Sequence, residues 1–171
     1  MRVFSHYILL AVFICTTSCT NVQMGKYSMQ TLYDPAETLW MQEEGDNSLH
    51  GSALIRQAGG GIVTCAGNIV YLAPDSTYAT EYFNVAFGNA NKGYIIVDTL
   101  EIVNLSQEFL ADRLVTTCDT LGKFTFGNLP DGKYYLVSSI FWFVGGLKQG
   151  GTMMQKVELR DGETINTVLV P

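Results

Sequence analysis

An all-β sandwich is the fold class this sequence predicts, and three features predict it. Glycine is frequent and scattered, 17 residues in 171, as a chain of many tight turns requires. The last third alternates apolar and polar residues in short runs, the period of a half-buried strand. Between those runs stand Leu129-Pro130-Asp131-Gly132 and Arg160-Asp161-Gly162-Glu163, where Pro presets φ and Gly supplies a left-handed position. Hydrophobic residues make up 47% of the chain, enough for a core of ordinary size.

In chain order, residues 20–33 are mixed and polar and read as a tether. The stretch "DPAETLWMQEEG" predicts a short helix near 35–44, with Asp34 as cap, Pro35 in the first turn, Glu37 at capping-box spacing and Gly45 as stop. Two or three turns need a docking partner, and Trp40 supplies the docking side chain, as a lid over one end of the sandwich. Strands follow at 51–57 and 68–74, separated by the Gly59-Gly60-Gly61 turn. Residues 75–112 read as an insertion between strands. Within it Ser76 caps a helix whose Tyr78, Tyr82, Phe83 and Phe87 fall mostly on one side. An extended run at 94–103 is the weakest strand. Strands at 114–119, 123–127 and 133–143 and a hairpin over 152–170, turning at Asp161-Gly162, complete a set of about seven.

The first residues are a targeting segment and stand apart from the fold. "MRVFSHYILLAVFICTTSC" has a basic start at Arg2, an apolar run from Tyr7 to Cys15 that is too short to span a bilayer, then small residues before Cys19. This resembles the lipobox of bacterial lipoproteins, with Thr16 where that motif has Leu. The resemblance implies a signal peptide over 1–18, a diacylated (palmitate-bearing) Cys19, a tether over 19–50 and a folded domain over 51–171. Thr20 is not the Asp that such lipoproteins use for inner-membrane retention, so the expected location is the outer membrane, on its periplasmic side or at the cell surface. An ordinary cleaved signal with an incidental Cys is the alternative.

Of four cysteines, Cys15 goes with the leader and Cys19 with the lipid, leaving Cys65 and Cys118 in an exported chain. A disulfide between them is the expectation. Two buried free thiols, or a nucleophile, are the other readings, and a nucleophile needs a base or cation beside it. The mature chain has one histidine, His50.

Charge narrows the partners. Ten Lys and Arg against 16 Asp and Glu give −6 overall, which disfavours nucleic acid. Without residues 1–18 the balance is 9 to 16, or −7, and an acidic surface does not favour anionic lipid. The acyl anchor would then do the holding. "GGGIVTCAG" lacks the Lys-Ser/Thr of a phosphate loop. One His in the mature chain, no CxxC pair and no EF-hand loop predict no metal and no cofactor.

"TCDTLGKFTFGNLPDGKYYLVSS" resembles the signature of carboxypeptidase regulatory-like domains, which are transthyretin-like (prealbumin-like) sandwiches. Thr117, Thr120, Gly122, Phe124, Phe126, Leu129, Pro130, Gly132, Tyr134 and Leu136 carry the likeness. Asp119 follows Cys118 directly, a one-residue shift from the pattern. "GSALIRQAGGGIVTCAGNIVYLAP" is similar to the opening strand pair of lipoprotein versions of this domain. The resemblance implies a seven-stranded prealbumin-like sandwich that accompanies enzymes without supplying catalytic residues. It points to a non-catalytic envelope lipoprotein that binds a protein partner or gives structural support. A carbohydrate-binding module is the alternative, with Tyr71, Tyr78, Tyr82, Tyr94 and Trp142 as candidates for sugar rings. A small hydrolase is the third reading; transthyretin-like hydrolases use several His and a C-terminal Tyr-Arg-Gly-Ser, whereas this sequence ends "TVLVP".

Overall fold

The computed structural model describes residues 25–96 and 100–171. Two sheets face each other across a core, as an all-β sandwich does. The larger sheet has five strands in the order β5 (Lys92–Ile95), β10 (Leu147–Leu159), β9 (Gly132–Val144), β4 (Ile69–Pro74) and β7 (Leu114–Thr117). The smaller is organised around β2 (Asn47–Arg56). Strand β11 (Thr164–Leu169) runs parallel along it, and β8 (Lys123–Leu129) and β3 (Ile62–Thr64) pair with it antiparallel. Leu49, Leu72, Phe124, Tyr134, Leu136 and Ile140 meet between the sheets, all buried.

The large sheet is covered on both faces. Alternation sends Tyr134, Leu136 and Ile140 of β9 into the inter-sheet core, and Tyr135 and Val137 to the other side. There they meet α1 (Thr77–Phe87) and α2 (Gln107–Ala111), whose Tyr78, Phe83 and Phe109 are buried against them. Phe83 stacks on Tyr135 with ring centroids 4.1 Å apart. Ser76 accepts from the Ala79 amide and starts α1, while Gly88 at φ 69° ends it. The insertion is therefore a third layer, and its aromatics pack the core.

A two-stranded parallel ribbon, β1 (Gly25–Ser28) with β6 (Leu100–Val103), lies over the helices. The carboxylate of Glu81 on α1 clasps it, accepting from the Gln30 and Thr31 amides and the Tyr27 hydroxyl at 2.7, 2.7 and 3.0 Å. Burial alone would raise that carboxyl, but these donors outweigh it and hold it at about 2.

Several expectations are corrected. The helix near 35–44 is two consecutive 3-10 turns, Pro35–Glu37 and Leu39–Gln42. Asp34 caps the first through the Ala36 amide, but the bonds run three residues back, from Thr38 to Pro35 and from Met41 to Thr38. That tighter winding seats the Trp40 ring over Gly132, where a Cβ would lie 2.3 Å from the indole. Trp40 also meets Tyr134 edge-on at 5.1 Å, so the docking role holds although the α form does not. The run 94–103 divides into β5 and β6, which join different sheets. Among the described residues eleven strands stand where about seven were expected.

The two turn signals also do something else. Pro130-Asp131-Gly132 and Asp161-Gly162 reverse the chain, yet neither closes a hairpin: β8 pairs with β2, and β11 pairs with β2, not with their sequence neighbours β9 and β10. Both turns cross between the sheets. The long hairpin is β9–β10, 13 paired residues from Gly132–Leu159 to Val144–Leu147. It turns on Gly145 and Gly146 at φ 56° and 82°, two positive values as a type I′ turn needs.

Candidate functional site

The two ends of the sandwich are built from different chemistry. At one end lie the start of β2 and the two inter-sheet turns. Asn47, 1% exposed, ties all three together. Its Nδ2 donates to the Leu129 carbonyl and to Asp131 Oδ1, both at 2.9 Å, and its Oδ1 accepts from the Glu163 amide at 2.8 Å. Asp131 Oδ1 also accepts from the Asp161 amide at 3.0 Å. Tyr134 donates to the Pro130 carbonyl at 2.8 Å beneath them. Around this knot stand Glu43, Glu44, Asp46, Asp131, Asp161 and Glu163, so this is an acidic end.

The opposite end is apolar. Past the row Ser139–Thr152, where β4 and β5 stop, five residues of β9 continue as a free ribbon with β10. That is about 16 Å of two-stranded ladder at the usual rise per residue, with Ile140 still buried between the sheets and exposure starting at Phe141. Phe143 is 72% exposed, Leu147 69% and Val144 58%. Lys148 lies over the Phe141 ring, 3.6 Å from its centroid. Ile96 after β5, Ile62 at the start of β3 and Leu121 in the β7–β8 turn are also exposed and belong to this end. Residues 139–155 contain Lys148 and no carboxylate.

The predicted cysteine pair stiffens this same end. Cys65 and Cys118 are bonded, with Cα atoms 5.8 Å apart across 53 residues, and both are buried. Chain-entropy bookkeeping puts such a staple at about 4 kcal/mol. Beside it, Asp119 accepts from the Leu121 and Lys123 amides at 2.8 and 2.9 Å, which lowers its carboxyl. Gly122 completes the turn at φ 74° with Thr64 packed against it. Cys19 lies outside the described residues.

The aromatic candidates for sugar stacking are taken up by packing. Tyr78 is buried, meets Tyr33 and Phe109, and accepts from the Ser106 amide. Tyr71 lies beneath the Arg113 guanidinium at 4.8 Å, Tyr82 meets Phe83 and Phe109, and Tyr94 and Trp142 pack on the inter-sheet core. Among the described residues the exposed rings are Phe141 and Phe143, one step out of phase with Ile140 and Trp142. Period-2 alternation along "IFWFV" was the signal for them.

On the outer face of the small sheet, His50, Ser52, Lys123, Thr125 and Asn166 line a shallow groove of about 370 Å³. His50 Nδ1 lies 3.1 Å from the Thr125 hydroxyl. Among the described residues no cluster of three His, Cys, Asp or Glu could hold a metal, and no helix is long and apolar enough to cross a membrane.

This combination defines a class: a stapled β-sandwich with a helical third layer, polar at one end and apolar at the other. No known family model matches the chain, and no curated protein matches it. Among solved structures it is similar to a protein from Pseudomonas aeruginosa described as a "putative carbohydrate binding protein". The TM-score is 0.68 at 21% identity, over 81% of this chain and 97% of that one. The likeness is one of fold.

Proposed function

We propose that this chain is a lipid-anchored outer-membrane protein whose sandwich is a non-catalytic adhesion module, holding the chain against another envelope component. The observation that carries the reading is the apolar end: exposed Phe143, Val144 and Leu147 on a ribbon projecting from a stapled sandwich. A contiguous apolar surface of this sort marks an interaction site. The lipobox-like segment ending at Cys19 and the resemblance to carboxypeptidase regulatory-like domains support it. The test is cell fractionation with intact-mass analysis. The native chain is expected in the outer-membrane fraction with acyl mass on Cys19, and Cys19→Ser is expected in the soluble fraction. An unmodified native chain free in the soluble fraction would overturn the anchor.

A carbohydrate-binding role is the second reading. It is favoured by the polar groove of His50, Ser52, Lys123, Thr125 and Asn166 and by the description given to the similar Pseudomonas protein. A glycan array probes it: binding lost in Asn166→Ala supports the groove, and silence across the array removes it.

A further inference from the structure

We infer that the component met by the apolar end is the lipid bilayer itself, the same leaflet that holds the chain's own acyl group; this rests on the anchored reading above. Three observations converge. The first is position. Gly25, where the described chain begins, pairs with Leu100, four residues along from Ile96 at the ribbon end of β5. Four residues reach at most about 14 Å, and the six from Cys19 to Gly25 at most about 22 Å. These lengths leave an acyl group on Cys19 free to reach the ribbon side of the sandwich.

The second is the sorting of charge. The chain is acidic as a whole, yet Glu43, Glu44, Asp46, Asp131, Asp161 and Glu163 gather at the far end. The ribbon carries Lys148 alone, and Arg56 ends β2 on the same side of the molecule. An apolar tip edged by Lys148 and Arg56 suits a bilayer with anionic headgroups, and Asp119, the carboxylate of the β7–β8 turn at this end, is taken up by the Leu121 and Lys123 amides.

The third is the chemistry of the tip. Phe143, Val144 and Leu147 flank a Gly-Gly turn, with Trp142 one step behind and Lys148 beside them. Aromatic and aliphatic side chains with a lysine at their edge match the boundary between headgroups and acyl chains. The ribbon thus sets the sandwich on the membrane in a fixed orientation, with the acidic end pointing into solvent.

The two tryptophans report on the two ends, Trp142 in the ribbon and Trp40 at the acidic end. The native chain would be reconstituted in vesicles of phosphatidylethanolamine and phosphatidylglycerol with brominated acyl chains. Trp40→Phe leaves Trp142 as reporter, and Trp142→Phe leaves Trp40. Trp142 is expected to lose about half its emission or more and Trp40 to lose none; Phe143→Ser/Leu147→Ser is expected to abolish the Trp142 quenching. The same pair would be measured with a hexahistidine tag in place of Cys19 on nickel-chelating lipid, which makes the result independent of acylation. A native chain without acyl mass overturns the anchored reading, whereas quenching of Trp142 on the tagged chain still supports the bilayer contact. Unquenched Trp142 in both formats overturns the inference. Crosslinking from position 143 to an envelope protein, with Trp142 unquenched, reassigns the tip to a protein partner.

Discussion

Both ends of this sandwich must close the same gap between two sheets, and they do it by opposite means. The acidic end uses a buried amide: Asn47 joins the start of β2 to two inter-sheet turns, and Trp40 lies across Gly132 as a lid. Every polar atom of that side chain is paired inside the fold. The apolar end uses a covalent bond between Cys65 and Cys118 and leaves its hydrophobic side chains outside. Satisfied polar groups make a finished surface, whereas exposed Phe, Val and Leu are left for something else to cover. The contrast separates a side whose groups are satisfied within the fold from a side that leaves apolar groups uncovered.

Breaking each closure tests that difference. The largest effect belongs to the staple: Cys118→Ser is expected to lower unfolding stability by about 4 kcal/mol, read by urea titration. A value near zero would mean the apolar end is held together by packing alone. Next, Asn47→Ala removes a buried donor and acceptor that serve three segments and is expected to destabilise by about 2–3 kcal/mol in the same titration. Its loss should also raise amide exchange at Glu163, whose N–H donates to Asn47 Oδ1, and at Asp161, whose N–H donates to the Asp131 carboxylate that Asn47 holds.

A smaller, pH-dependent effect lies between the ends. Glu81 titrates near 2 in the fold and near 4.5 as an ordinary glutamate, so its contribution is in full above about pH 4.5 and fades as pH falls toward 2. Exchange at the Gln30 and Thr31 amides should rise across that window, and Glu81→Gln should remove the dependence. Last, Phe143→Ser/Leu147→Ser should change stability by less than about 0.5 kcal/mol, because both side chains are exposed. A large loss would show that the ribbon tip belongs to the core.

Much of the fold was legible in the residues. Alternation and turn chemistry identified the strands of the last third, and the one-sided spacing of the α1 aromatics is the face that packs. Cysteine counting predicted the Cys65–Cys118 pair. Pairing partners were not legible: a Pro-Asp-Gly turn specifies reversal, and whether the returning strand joins its neighbour or crosses the sandwich depends on long-range burial. Asn47 stood in a stretch, "GDNSLHG", that looked like linker, since its role comes from carbonyls and amides over 80 residues away. Net charge has a limit of another kind. It disfavours anionic lipid for the chain as a whole, but a sum cannot show that six carboxylates stand around the Asn47 knot while residues 139–155 carry none.

The proposed contact of the apolar end with the bilayer has a direct readout. Hydrogen–deuterium exchange on the native chain in phosphatidylethanolamine–phosphatidylglycerol vesicles, against Cys19→Ser in solution, tests it at both ends in one experiment. Slower exchange over 141–149, with 43–46 and 160–163 unchanged, is the predicted result. Equal exchange in the ribbon, or protection that falls on the acidic turns instead, would contradict it.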